Sequence, residues 1–284
     1  MTNKVRATMH GAISIVNAIA TGKGSALGIS LKVTAEVSLE NGQGIKFHRT
    51  KDDRLLRNIV YKTIPAEIIA NNMVSIHIES EIPLGFGLKS SSAVSNAVAL
   101  ACSRLIDSNR DDYTVLDIAV SASLDAKVTV TGAYDDAAAC YFGGFVLTDN
   151  YARNLIRREK APDNLYAIIL LPQGTSRGNI DKLSIMSDFF INAFNLAEAG
   201  EYWKAMKLNG VLASAALSVN YEPVLAALER HALGASVSGN GPSVAAVAYE
   251  NQIDDIKSVF GDFNGNILVS KINNQKASVE KIIG

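Results

Sequence analysis

The chain has 284 residues, 48% hydrophobic and 19% charged, enough to bury one large core or two ordinary ones. A formal charge of −1 without long Lys/Arg runs gives no basic face for nucleic acid, and no stretch is long and apolar enough to span a bilayer. Two cysteines without CxxC spacing, far in sequence from four scattered histidines, read as buried free thiols in a reducing compartment rather than a structural zinc; with no apolar leader segment at the N-terminus, a soluble cytoplasmic protein is expected.

In chain order, residues 12–19 are apolar and β-branched and read as a strand, and 27–39 alternate as a second one. Asn41-Gly42-Gln43-Gly44 gives a turn before a short strand at 45–48. Leu55, Leu56, Ile59 and Val60 have helical spacing, predicting a helix over 52–63. Residues 73–79 alternate: Val74, Ile76 and Ile78 share one face of a half-exposed strand, and His77 lies on the other as a surface residue. A loop at 82–89, helices over 90–106 and 115–126, and a loop with a short helix at 131–144 follow, with a Gly-Gly exit into a strand at 144–147.

The polar stretch 150–164 is the expected domain boundary, and its basic cluster of Arg153, Arg157, Arg158 and Lys160 reads as a solvated edge. The expected architecture is α+β throughout: a first domain over 1–150 and a second over 160–284. In the second, 165–171 reads as a strand buried on both faces. Helices are expected over 180–198, 201–217 and 223–232, the last with Pro223 in its first turn. Short strands at 235–238 and 243–249 flank a glycine turn, and a helix at 252–260 precedes a final strand at 266–270.

The sharpest local signal is Pro83-Leu84-Gly85-Phe86-Gly87-Leu88-Lys89-Ser90-Ser91-Ser92-Ala93, between a strand and a helix. Gly85 and Gly87 let the backbone turn tightly near a ligand. The serines fall at the helix start, where free N–H groups and the helix dipole make an anion site. A Ser-capped helix after an ordinary glycine loop is the plainer reading of the same residues. It is neither a Walker A loop, since Leu88 precedes Lys89-Ser90, nor a dinucleotide fingerprint. A second feature is Asp135-Asp136 within Thr131-Gly132-Ala133-Tyr134-Asp135-Asp136, ahead of Gly143-Gly144. Alone, it reads as an acid pair favoured by a helix N-terminus.

Residues 83–93 resemble the second signature of the GHMP kinases, the family of galactokinase, homoserine kinase and mevalonate kinase, usually P-x-G-x-G-L-G-S-S-A-A. Lys89 here replaces a Gly and Ser92 an Ala. Lys89 beside the serine triplet, with residues 15–26 and 131–136, resembles the archaeal type of shikimate kinase within that family, and the resemblance runs from about residue 7 to 248. It implies a two-domain fold with a ferredoxin-like second half, and ATP-dependent phosphorylation of the 3-hydroxyl of shikimate in chorismate and aromatic amino-acid synthesis, with Mg²⁺. It implies that residues 83–92 bind nucleotide, and that Asp136, seven residues before Gly143, is the catalytic base, with Asp135 its local competitor. Asp125, eleven residues earlier, would hold Mg²⁺ together with Ser91, although it also reads as a solvated helix-end residue. Ser236-Val237-Ser238-Gly239-Asn240-Gly241-Pro242-Ser243 resembles the third family motif, whose Gly239 and Gly241 would brace the phosphate loop. Asn17 and Arg177 are candidates for the acceptor. Mevalonate kinase has an assisting Lys on its first strand, but no Lys occurs over 11–21, leaving Lys23, Lys89 or Lys127 to replace it or the help absent. Homoserine and mevalonate are alternative acceptors, and a catalytically silent metabolite binder is the alternative from another class.

Overall fold

A computed structural model describes residues 3–48, 54–174 and 178–283. β1 (Asn3–Val16) and β2 (Lys23–Glu40) form a long antiparallel pair at the centre of the first sheet. Over the first half of β1, Val5, Ala7 and Met9 are buried while Lys4, Arg6 and Thr8 reach solvent, as one-sided burial requires. A register shift between His10 and Gly11 ends this pattern, and from Ala12 to Val16 every side chain is buried. There α3 (Ser90–Ile106) and α5 (Tyr134–Phe142) cover one part of the strand, while α6 (Ser187–Glu198) and α7 (Tyr202–Leu217) also pack on it. The sequence pattern caught only this doubly covered half, so the strand starts nine residues earlier and stops at Val16.

β4 (Met73–Ser80) pairs with the far half of β2, and β5 (Phe145–Asp149) with its near half. The turn at 41–44 does not fold β3 (Gly44–His48) back on β2: β3 lies parallel to β4 at the sheet edge, and α1 (Arg54–Thr63) and α2 (Ala66–Asn71) lie between the two in the chain. β6 (Asn154–Glu159) pairs with β5, so the expected boundary stretch carries a strand of the first sheet. β7 (Leu165–Pro172) is central in a second sheet of order β10-β7-β9-β8, with β8 (Gly234–Val237), β9 (Val244–Tyr249) and β10 (Gly265–Lys271). The expected final strand is not the last: β11 (Ser278–Ile283) follows and pairs with β1 in the first sheet. Its alternation of Val279 with Glu280 is too short a signal to separate from a polar tail.

α3 is buried on more than one side, and small residues around it, Ala93, Ala97, Ala99 and Ala101, let it lie close on β1 and β2. α4 (Asp112–Asp125) starts where the Asp111 carboxylate accepts from Thr114 N at 2.9 Å, a cap worth about 1 kcal/mol. The expected helix over 180–198 is a 3₁₀ segment, Ile180–Met186, followed by α6. α8 (Glu222–Glu229) and α9 (Ile253–Phe260) pack on the second sheet. Among the described residues, no helix is long and apolar enough to cross a membrane.

Candidate active site

A cavity of about 790 Å³ opens where the N-termini of α3 and α5 meet the end of β1 and the β8–β9 loop. Of the expected phosphate loop, Pro83 to Gly85 and Gly87 to Ser92 line it. Phe86 does not: its carbonyl accepts from Ser243 Oγ at 2.6 Å. Gly87 has φ +76°, and a Cβ there would sit 2.0 Å from the Ser238 carbonyl oxygen, so only glycine lets the two loops touch. Ser238 Oγ donates to Gly87 O at 2.8 Å, tying the loops together. Ser90 Oγ is buried with no hydrogen-bond partner, beside the free N–H groups that begin a 17-residue helix. An orphan donor at that position suits an anion such as a nucleotide phosphate.

Lys89 sits at the head of α3 in the left-handed region, φ 64° and ψ 24°, where the family pattern has glycine. A non-glycine residue there costs about 1–2 kcal/mol. The conformation sends its buried ammonium across the cavity floor, 2.8 Å from Asp136 Oδ1 and 2.8 Å from Ser14 Oγ on β1. Burial works to lower the Lys89 pKa, but Asp136 and Asp135 outweigh it and hold it above the ordinary lysine value, so the ammonium stays charged. Of the other lysines left open by the sequence, Lys23 lies over the Phe194 ring, and Lys127 is exposed where it lines the cavity.

Asp135 and Asp136 occupy the first turn of α5, entered through Ala133, which is also left-handed. Asp136 is partly accessible, at 20%, and Asp135 only 4% exposed. Burial, reinforced by the charge of Asp136, pushes the Asp135 carboxyl up to about 7, although Lys89 and Asn150 pull it back. Asn150 donates to Asp135 Oδ1 at 2.8 Å and accepts from the Asp135 backbone N–H at 3.0 Å.

Asn17 lines the cavity, but much of its side chain is engaged in structure: Nδ2 donates to Gly239 O at 2.9 Å, and Oδ1 accepts from Ile19 N at 2.8 Å. Gly239 lines the cavity and takes a bond from its own N–H to Ser14 Oγ, whereas Gly241 sits behind it, donating to Ser238 O. Asp125 is not brought to Ser91. It is 56% exposed, does not line the cavity, and pairs with Lys62 Nζ at 2.8 Å. Its position at the end of α4 turns it toward α1 rather than the phosphate loop. No group of three or more potential metal-ligating side chains occurs among the described residues. Arg177 lies outside the described residues.

The polar scaffold of the site was not read from the sequence. Ser14, Asn150, Asn209 and Ser238 are buried and link separate elements: Asn209 on α7, for instance, accepts from Asn17 N at 2.9 Å and donates to Ser236 Oγ at 2.8 Å. Asn209 carried a usable signal, an amide on a helix face otherwise lined by Ala205, Met206, Leu212 and Ala213. Asn150 carried none, since it opens a polar stretch that reads as a linker.

Residues 55–144 match the GHMP kinases N terminal domain. A shikimate kinase of Methanothrix thermoacetophila is 37% identical over 272 residues, 95% of this chain and 94% of that protein. One from Pyrococcus furiosus is 40% identical over 266 residues, 88% and 94% of the two chains. Among solved structures, a homoserine kinase from Cytophaga hutchinsonii superposes with a TM-score of 0.77 at 20% identity, over 98% of this chain and 97% of its own. A mevalonate kinase of L. major gives 0.71 at 16% identity over 95% and 96%. These two show the same α+β fold. Such a kinase takes its phosphoryl group from ATP and passes it to a small molecule. On the strength of relatives matched along nearly their whole length, the chain belongs to the GHMP kinase family.

Proposed function

We propose that this kinase transfers the γ-phosphoryl group of ATP to the 3-hydroxyl of shikimate, giving shikimate 3-phosphate for chorismate and aromatic amino-acid synthesis. The observation that carries the reading is the buried Lys89–Asp136 pair at the meeting point of two helix N-termini. It supplies a carboxylate for the acceptor beside a site for phosphate. The acceptor itself is argued from the relatives: three matched over 88–95% of this chain are named shikimate kinases, and they are 35–40% identical to it.

Phosphoryl transfer needs positioning and charge neutralisation more than covalent help from the protein. The backbone N–H groups at the head of α3, with Ser90 Oγ, hold the phosphates. Ser91 would be this chain's ligand to Mg²⁺, which supplies neutralisation of the phosphate charge when bound. Asp136 takes the proton of the attacking hydroxyl. The new oxygen–phosphorus bond forms as the bond to the bridging oxygen breaks, and ADP leaves with that electron pair. Lys89 holds the Asp136 carboxyl group in place; two of its three N–H donors are engaged, and the third can meet the transferring group. For the acceptor carboxylate we assign Arg177. Gly178, next to it, donates to Asn240 O at 3.0 Å, and Asn240 lines the cavity.

The test is ADP release from Mg-ATP with shikimate, homoserine and mevalonate offered separately. Release with shikimate alone is expected. Release with another alcohol transfers the acceptor assignment to that alcohol, and release with none, alongside measurable shikimate binding, makes the chain a metabolite binder.

A further inference from the structure

Asp135 has no task in that scheme, yet it is held more firmly than Asp136. Asn150 is 2% exposed and uses its whole hydrogen-bonding capacity around it. Its amide nitrogen donates to Asp135 Oδ1 at 2.8 Å and to Thr131 Oγ1 at 3.1 Å, and its amide oxygen accepts from Asp135 N and from Thr148 Oγ1. A saturated buried network of this kind fixes the plane of the carboxyl group. It does not need an acid: an asparagine at 135 would accept the same bond from Asn150 without burying a charge beside Asp136.

The other oxygen explains the acid better. No side-chain donor among the described residues reaches Oδ2. It faces Ala18, in the cavity wall, and Gly24 of β2. A Cβ at Gly24 would lie 2.7 Å from Oδ2 and 2.6 Å from the Ala18 Cβ. Gly24 is not in the left-handed region, so its missing side chain serves space and not backbone shape. Asp135 and Asp136 are consecutive, line one cavity, and feel each other's charge.

We propose that Asp135 is a specificity residue whose Oδ2 binds the hydroxyl on the carbon adjacent to the one phosphorylated, so that the site selects vicinal diols over alcohols with a lone hydroxyl. Two neighbouring carboxyl groups then meet two neighbouring hydroxyls: one is bound and the other activated. The inference rests on the shikimate reading, in which the 3-hydroxyl has the 4-hydroxyl beside it. Homoserine and mevalonate have no hydroxyl on the carbon next to the reacting one.

The experiment compares shikimate with 4-deoxyshikimate, using the intact enzyme and Asp135→Asn. The variant keeps the oxygen that Asn150 holds and puts an amide donor in place of Oδ2. Expected for the unaltered enzyme is a loss of roughly 10- to 100-fold in kcat/KM on removing the 4-hydroxyl, the size of one lost hydrogen bond to a charged group. Asp135→Asn should lose a similar factor with shikimate and almost nothing further with the deoxy analogue, with the Kd for ATP unchanged. Equal losses of the variant on both acceptors overturn the inference. So does an unaltered enzyme that phosphorylates the two equally well, a result that needs no variant to fold. An unaltered enzyme inert toward shikimate fails the substrate reading first and removes this inference with it.

Discussion

Lys62 and Asp125 meet at 2.8 Å between α1 and α4, and Lys89 and Asp136 meet at the same distance on the cavity floor. The outer pair is 37% and 56% exposed, the inner one 5% and 20%. Water and salt screen the first, and side-chain entropy offsets most of what remains. The second has lost most of its hydration, and its lysine is held in a backbone conformation that side chains disfavour. Strain kept at a buried ion pair inside a cavity points to use, whereas a relaxed pair at the surface does not. Contact length therefore says little about what a lysine–aspartate pair does; burial and backbone cost separate the two.

The strongest way to break this contrast is Asp136→Asn. Turnover should fall about 10²- to 10⁴-fold, the usual weight of a general base, with Mg-ATP binding retained in a fluorescence or calorimetric titration. Near-normal turnover would remove Asp136 from the chemistry and leave the inner pair structural. Next in size is Lys89. Lys89→Ala strands two carboxyl groups and should cost about 3 kcal/mol of stability in urea melts, together with turnover. Lys89→Gly should lose turnover equally but be more stable than the alanine variant by about 1 kcal/mol, because glycine accepts the left-handed conformation. An alanine variant as stable as the glycine one would mean that the Lys89 backbone is not strained.

Why the sequence revealed one half of this pair more readily than the other follows from where each signal lies. Asp136 was marked by a count from Gly143 that the family resemblance implies, and the phosphate loop by its glycines and serines. Lys89 stood inside that loop, where a lysine reads as a charge for phosphate; its partner on α5 is 47 residues away, and only the fold brings it within reach. The helix at 90–106 and the one expected over 52–63, found as Arg54–Thr63 with residues 52 and 53 outside the described residues, were legible from their apolar side chains, and β7 because it is continuous and buried. β11 and the first half of β1 were not, since each is a short alternation whose meaning depends on the other strand. Asp125 was placed by a count as well, but a helix end can face either way, and packing of α4 on α1 turned it outward.

A smaller effect sharpens the inner side of the comparison. Burial raises Asp135 to about 7 in the folded chain, against roughly 3.9 for an exposed aspartate. Between those values the folded state holds a proton that the unfolded state has lost. The associated stability is complete below about pH 4 and is lost as pH rises through about 7. Asp135→Asn cannot ionise, so it should gain on the unaltered protein by on the order of 3 kcal/mol between pH 5 and pH 8. Thermal or urea melts at the two pH values measure it. Parallel pH profiles would mean that Asp135 is already ionised at pH 5 and that Lys89 and Asn150 outweigh its burial.

The least effect belongs to the outer pair. Lys62→Ala and Asp125→Ala should each change stability by about 0–1 kcal/mol, and the difference should shrink further in 1 M salt. Turnover and the Mg²⁺ requirement of Asp125→Ala should stay within about threefold of the unaltered enzyme, as for a surface substitution away from the reacting groups. A Mg²⁺ titration decides the matter. If Asp125→Ala needed far more Mg²⁺ at unchanged stability, the carboxylate would have to leave Lys62 and reach the nucleotide during turnover. The family resemblance would then have located a metal ligand that the resting arrangement of α4 keeps turned away, and exposure would fail as the criterion that separates the two pairs.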